Sequence, residues 1–100
     1  MFTSPLPRRL RQARQASGLS QKNLGVAAGI DEFSASPRMN QYETGKHTPD
    51  YLTLKRIAMV LHVSPSYFYA DCDTLAELIR LFSRLPSRKQ LMLVKQLEKN

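Results

Sequence analysis

A short segment around Met39 carries side chains suited to recognising another molecule without chemical change. Met39 and Tyr42 fall on one face of a helix, whereas Arg38, Asn40 and Gln41 lie on its other faces. Guanidinium and carboxamide groups form paired hydrogen bonds with base edges in the DNA major groove, which an α-helix fits. The pattern therefore favours non-covalent reading of base pairs, although polar side chains on a helix are equally typical of a solvated surface.

Catalytic and metal chemistry find little support in the sequence. The chain has no Gly-rich phosphate loop and no Ser-His-Asp or Cys-His set. His47 and His62 lack a partner at metal-ligand spacing, and the Asp-Cys-Asp stretch at residues 71–73 indicates a loop. We therefore expect no enzymatic activity, no cofactor and no metal site.

The cysteine content indicates a reducing compartment. Cys72 is the single cysteine, so no intramolecular disulfide can form, and it is expected to be a small half-buried residue in a connection. No stretch resembles a signal peptide or a membrane span. A soluble, cytoplasmic protein is expected.

The charge balance points to a polyanionic partner. Fifteen Lys and Arg residues against eight Asp and Glu residues leave a formal net charge of +7. Arg8, Arg9, Arg11 and Arg14 lie in the first 14 residues with no acidic residue among them, and the first three either contact phosphate or only solubilise the N-terminus. The last helix has a narrow apolar face and includes Glu98, which argues against a membrane surface. Double-stranded DNA is the favoured partner.

The local signals predict helices throughout and no strand. Residues 1–7 contain two prolines and are predicted to form an extended arm, followed by helices at 8–16 and 21–28. Ser36 as N-cap and Pro37 as first residue predict a third helix that ends at Gly45. Further helices are predicted after the Thr-Pro-Asp stretch at 48–50 and after the Ser-Pro pair at 64–65, where the aromatic residues 67–69 are assigned to the core or to a dimer rim.

Residues 71–100 predict an αα-hairpin. Thr74 with Glu77, and Ser87 with Gln90, fit capping boxes on either side of Pro86. The apolar residues of the two helices either pack on the preceding domain or join two copies of the chain, and we favour the second. The predicted dimerisation residues are Leu75, Leu78, Ile79, Phe82, Leu91, Val94 and Leu97.

An ordered series of residues carries a resemblance to a known family. The series is Leu19-Ser20-Gln21, Leu24, Gly29-Ile30, Tyr42-Glu43-Thr44-Gly45-Lys46, Pro49, Leu54, Ile57, Ala58 and Leu61. It resembles the phage-repressor-like helix-turn-helix family, also called the Cro/C1 or xenobiotic-response-element type, over residues 8–70. The resemblance implies an all-α, five-helix DNA-binding domain, here followed by the hairpin.

The resemblance also implies roles for particular residues. Base-reading positions would be Ser36, Arg38, Asn40 and Gln41. Phosphate contacts would come from Arg14, Ser20, Gln21, Lys46 and His47, with Arg14 also pairing with Glu43.

The sequence departs from the family pattern in three places. The link from Ile30 to Tyr42 is longer than the family's usual spacing by about four residues. Pro37 stands where many members have a polar base-reading residue, and Gly25 replaces a small alanine and keeps the helix crossing sterically open.

These observations favour a homodimeric transcription regulator, a repressor that binds a palindromic operator through two half-sites. The alternative is an antitoxin-type interaction module that sequesters a partner protein through its C-terminal helices and represses its own operon.

Overall fold

The computed structural model describes residues 3–100, so Met1 and Phe2, the start of the predicted arm, lie outside the described residues. The described chain contains six α-helices, one 3₁₀ helix and no strand. The helices are α1 Leu6–Ser17, α2 Gln21–Ala27, α3 Glu32–Thr44, α4 Tyr51–Leu61, the 3₁₀ helix Pro65–Tyr69, α5 Asp73–Ser83 and α6 Ser87–Glu98. The predicted all-α fold is confirmed. None of the helices in residues 3–100 is both long enough and apolar enough to cross a membrane.

The core lies among α1 to α4 and the 3₁₀ helix. Its largest fully buried side chains are Leu10, Leu24, Met39, Leu54, Ile57 and Phe68. The spacing of Leu54, Ile57, Ala58 and Leu61 places all four on the buried face of α4, as an amphipathic helix requires. Each of these helices thus contributes one apolar face to the core.

Two glycines end their helices as the sequence predicts. Gly18 and Gly45 follow α1 and α3 with φ of 76° and 79°, in the left-handed region that glycine adopts without steric cost. Each one turns the chain sharply out of the helix.

Helix α1 begins earlier than predicted. Leu6 and Pro7 belong to the helix and not to an arm, and Leu6 is buried in the core. A proline is tolerated in the first turn because that turn's N–H groups have no helical acceptor.

Helix α3 also begins earlier than predicted, at Glu32 instead of Pro37. A carboxylate oxygen of Asp31 accepts a hydrogen bond from the backbone N–H of Phe33 at 3.0 Å and caps the helix. Pro37 lies inside α3, where it removes one backbone donor, and Ser36 is a helical residue rather than a cap. The prediction was wrong because Asp31 already caps the helix and Ala35, in the added turn, packs against Gly25 of α2. The extra residues of the link therefore extend the helix.

The two predicted capping boxes of the hairpin are wrong. Cys72 precedes α5, and its sulfur accepts a hydrogen bond from the N–H of Leu75 at 3.5 Å, so Thr74 is already helical. Pro86 precedes α6. The Gln90 side chain donates to the Phe82 carbonyl at 2.9 Å instead of closing a box.

Helix α6 projects from the rest of the molecule. None of its residues is buried, whereas α5 buries Ala76 and packs on the 3₁₀ helix. The described chain is accordingly elongated, with extents of 50 × 34 × 22 Å.

Candidate nucleic-acid interface

Helices α2 and α3 cross at a point where Gly25 meets Ala35. A Cβ atom placed on Gly25 would lie 2.8 Å from the Cβ of Ala35, which is closer than two carbon atoms can approach. Glycine at this position therefore allows α3 to sit directly on α2. This close crossing fixes the direction in which α3 presents its outer surface.

Helix α3 has one buried face and one exposed face. Ala35, Met39 and Tyr42 are buried against the core. On the opposite side Phe33, Pro37, Asn40 and Thr44 follow the spacing i, i+4, i+7, i+11 and are all exposed. We call these four residues the outer stripe of α3.

The predicted base-reading residues lie on and beside the outer stripe. Asn40 belongs to it, and Gln41 is a half-buried neighbour. Ser36 and Arg38 are exposed on its two flanks, on opposite sides of Pro37. The structure thus leaves three of the four side chains open to solvent.

Arg14 and Glu43 form a two-point ion pair between α1 and α3. Arg14 Nε lies 2.6 Å from Glu43 Oε2, and Arg14 Nη2 lies 3.0 Å from Glu43 Oε1. Arg14 Nη1 donates to the Leu19 carbonyl at 3.0 Å. The hydrogen bond to Glu43 raises the pKa of Arg14 above its ordinary value. This pair braces the C-terminal half of α3 against α1 and the turn before α2.

Gln21 extends this network to the outer stripe. Its side-chain nitrogen donates to Asn40 Oδ1 and to Glu43 Oε1, both at 3.3 Å. The first residue of α2 is therefore adjacent to the polar end of the outer stripe. Both lie on one surface of the protein.

Of the remaining predicted phosphate contacts, Ser20 precedes α2, and Lys46 and His47 follow α3. Ser20 Oγ accepts a hydrogen bond from the backbone N–H of Asn23 at 3.0 Å and caps α2. Lys46 and His47 are exposed just beyond α3, where the N–H of His47 donates to the Gln41 carbonyl at 3.2 Å.

Arg9 has a structural contact that the sequence did not reveal. It is buried, and its Nε and Nη2 donate to the Ala70 carbonyl at 3.2 and 3.1 Å. Its Nη1 also donates to Asp73 Oδ1 at 2.9 Å, and Arg8 reaches the same oxygen at 3.3 Å. These bonds lower the pKa of Asp73. Arg9 thus ties α1 to the segment that joins the 3₁₀ helix to α5.

The hairpin carries a second open surface. An apolar groove of about 550 Å³ runs between α5 and α6, and its lining includes Leu78, Ile79, Phe82, Leu93, Val94 and Leu97. Leu75, Leu91 and Met92 do not line this groove and are exposed. In residues 3–100 no group of three or more His, Cys, Asp or Glu residues is placed to hold a metal ion.

Fold and site together define an all-helical domain in which a short helix, a turn and an exposed second helix form a helix-turn-helix. The family described as "Helix-turn-helix domain" matches residues 6–67. The chain therefore belongs to the helix-turn-helix family.

Particular relatives agree with this assignment. The chain is similar to two uncharacterized HTH-type transcriptional regulators of Sinorhizobium fredii, y4aM at 36% identity over 64 residues and y4wC at 35% over 63. These matches cover 64% and 63% of this chain but only 42% and 41% of the relatives. The crystal structure of transcriptional regulator BswR is similar with a TM-score of 0.85 and 46% identity, over 95% of this chain and 94% of that one.

Proposed function

We propose that this protein is a sequence-specific DNA-binding transcription regulator that represses transcription as a homodimer on a palindromic operator. The observation that carries the proposal is the outer stripe of α3, which is exposed along its length while Arg14 and Glu43 hold the helix in place. A rigid helix of this kind fits the major groove and presents its side chains to base edges. Occupying an operator requires neither a cofactor nor a covalent step.

Asn40, Arg38, Ser36 and Gln41 supply the base contacts in this proposal. A carboxamide pairs with adenine through two hydrogen bonds, and a guanidinium pairs with guanine in the same way. Asn40 is partly pre-positioned for this because Gln21 already donates to its oxygen. Such pre-positioning lowers the entropy that is lost when the contact forms.

Lys46, His47, Gln21 and Ser20 form the phosphate contacts, and they set the register of α3 on the duplex. Arg14 contributes by positioning α3, because its guanidinium is occupied by Glu43 and by the Leu19 carbonyl. The net charge of +7 provides the salt-dependent part of the affinity.

The hairpin supplies the contact between the two copies. A 12-residue helix with no buried residue, such as α6, is only marginally stable in water without a partner. The groove between α5 and α6 lies beside exposed apolar residues of α6. In this proposal the exposed apolar residues of one copy pack into the groove of the other. A two-fold pair of this type places two α3 helices on successive half-sites of one face of the duplex.

The proposal is tested by selecting binding sites from random duplex DNA and measuring the affinity for the enriched and for scrambled duplexes at several salt concentrations. A palindromic site bound at least a thousandfold more tightly than scrambled DNA, at about 1:2 DNA-to-protein stoichiometry, is the expected result. Uniform weak binding with a steep salt dependence would contradict it. Light scattering of the free protein gives the oligomeric state, and a monomer would overturn the homodimer.

A further inference from the structure

The first turn of α3 holds an exposed aromatic residue that the base-reading set does not use. Phe33 is 88% exposed, the most exposed of the large hydrophobic side chains in the described chain. It lies in the outer stripe, on the side of α3 opposite Ala35 and Met39, so it cannot reach the core. An aromatic side chain left fully in water loses the burial energy that it would gain at an interface.

Pro37 makes this end of the outer stripe apolar. It is exposed one turn after Phe33, and its ring has no N–H to give to the Phe33 carbonyl. The stripe therefore has an apolar half, Phe33 and Pro37, and a polar half, Asn40 and Thr44. The two halves suit different features of a base pair.

The major groove offers one apolar feature, the C5-methyl group of thymine, and phenylalanine is among the residues that contact it. From Phe33 to Asn40 a helix rises about 10 Å, which matches about three base-pair steps of a helix lying along the groove. We infer that Phe33, supported by Pro37, is a specificity-determining residue that reads a thymine methyl group about three base pairs from the pair contacted by Asn40. This inference rests on the proposed function.

The test replaces each thymine of the duplex enriched by the wild-type protein, one position per half-site at a time, with deoxyuridine, which lacks only the methyl group. Wild-type affinity is expected to fall about fourfold per half-site at one position, the size expected for burial of one methyl group. F33A is expected to bind the thymine duplex more weakly and to lose its sensitivity to deoxyuridine at that position alone. F33L, which stays apolar, is expected to keep part of it.

M59A provides the matched control, because Met59 is 68% exposed on α4 and outside the outer stripe. It is expected to show the wild-type response to deoxyuridine. Specific binding in which no deoxyuridine position lowers the wild-type affinity, or in which F33A keeps the same loss, would overturn this inference and leave the proposed function intact. Absence of any enriched duplex would overturn both.

Discussion

The guanidinium of Arg14 and the carboxylate of Glu43 meet through two hydrogen bonds, 2.6 and 3.0 Å long, although the residues are 29 positions apart. The side chain of Glu43 is 2% exposed and that of Arg14 is 14% exposed. A pair removed this far from water must be complete, because either charge alone would be left without compensation. Gln21 uses the same carboxylate, so one contact positions α1, α2 and α3 together.

Loss of Arg14 should therefore be severe. We expect R14A to lower the free energy of unfolding by about 3 kcal/mol, since removal of one partner leaves Glu43 buried and uncompensated. Urea unfolding followed by circular dichroism measures this. The exposed neighbour Arg11 provides the control, with a change below about 0.5 kcal/mol expected for R11A. Equal effects of the two substitutions would show that the ion pair does not hold α3.

The close crossing of α2 and α3 should not accommodate a methyl group added at Gly25. In G25A the new Cβ meets Ala35, and overpacking of this kind costs about 1–3 kcal/mol, against a gain of about 1 kcal/mol in helix propensity. We expect a lower melting temperature for G25A. The double variant G25A/A35G removes the opposing Cβ and should recover part of the loss. A G25A protein as stable as the wild type would mean that separating the helices costs no more than the gain of about 1 kcal/mol in helix propensity.

The buried guanidinium of Arg9 should hold the hairpin to the domain. R9M keeps most of the apolar volume but leaves the Ala70 carbonyl without its two donors, at a cost of about 1–3 kcal/mol. We expect a lower urea midpoint and faster hydrogen exchange at the start of α5. R11M, on the exposed side of α1, is the control. Unchanged hydrogen exchange in α5 would show that Arg9 does not hold the hairpin to the domain.

Asp73 should make stability depend on pH. Its pKa is lowered from the ordinary value of 3.8, chiefly by the hydrogen bond from Arg9 and next by that from Arg8. A group with a depressed folded-state pKa stabilises the protein above its unfolded pKa, and this contribution disappears as the pH falls through the folded pKa. The wild type should thus lose stability below about pH 4 more steeply than D73N, which urea midpoints measured from pH 6 to pH 2 compare. D71N, on the same segment, should follow the wild type.

Dimerisation through the hairpin should be separable from folding of the domain core. V94D places a charge in the groove between α5 and α6, and because α6 buries no residue, the domain core should stay intact. We expect a monomer by light scattering and weaker binding to a palindromic duplex, with a loss of helical circular dichroism no larger than α6 accounts for. Q96D adds the same charge on an exposed polar position of α6 and should remain dimeric. A dimeric V94D protein would place the interface elsewhere.

Features that depend on residues close together in the chain were predictable from the sequence. The core face of α4 followed from the spacing of Leu54, Ile57 and Leu61, and the helix ends followed from Gly18 and Gly45. The start of α3 was not predictable by the same rules, because Ser36 and Pro37 imitate a helix start. Its true start depends on how Ala35 packs against Gly25 of another helix.

Long-range contacts explain what else the sequence did not reveal. Arg9 belongs to a run of N-terminal arginines that the sequence assigns to the surface. Its hydrogen-bond acceptors lie 61 and 64 residues further along the chain. No local pattern distinguishes such an arginine from one that meets phosphate. Phe33 was likewise hidden, because the third helix was predicted to begin at Pro37, and only the earlier start of α3 at Glu32 places Phe33 in the outer stripe.

The central claim is that the outer face of α3 reads base pairs. The variants N40A and R38A test it most directly when they are compared with K46A, which removes a phosphate contact. Affinities of the three variants are measured on the enriched duplex and on scrambled DNA at several salt concentrations. The account predicts that N40A and R38A reduce the ratio of specific to non-specific affinity by about 10- to 100-fold, whereas K46A weakens both equally and lowers the salt dependence by about one unit of slope. Equal losses on both duplexes for N40A and R38A would contradict it.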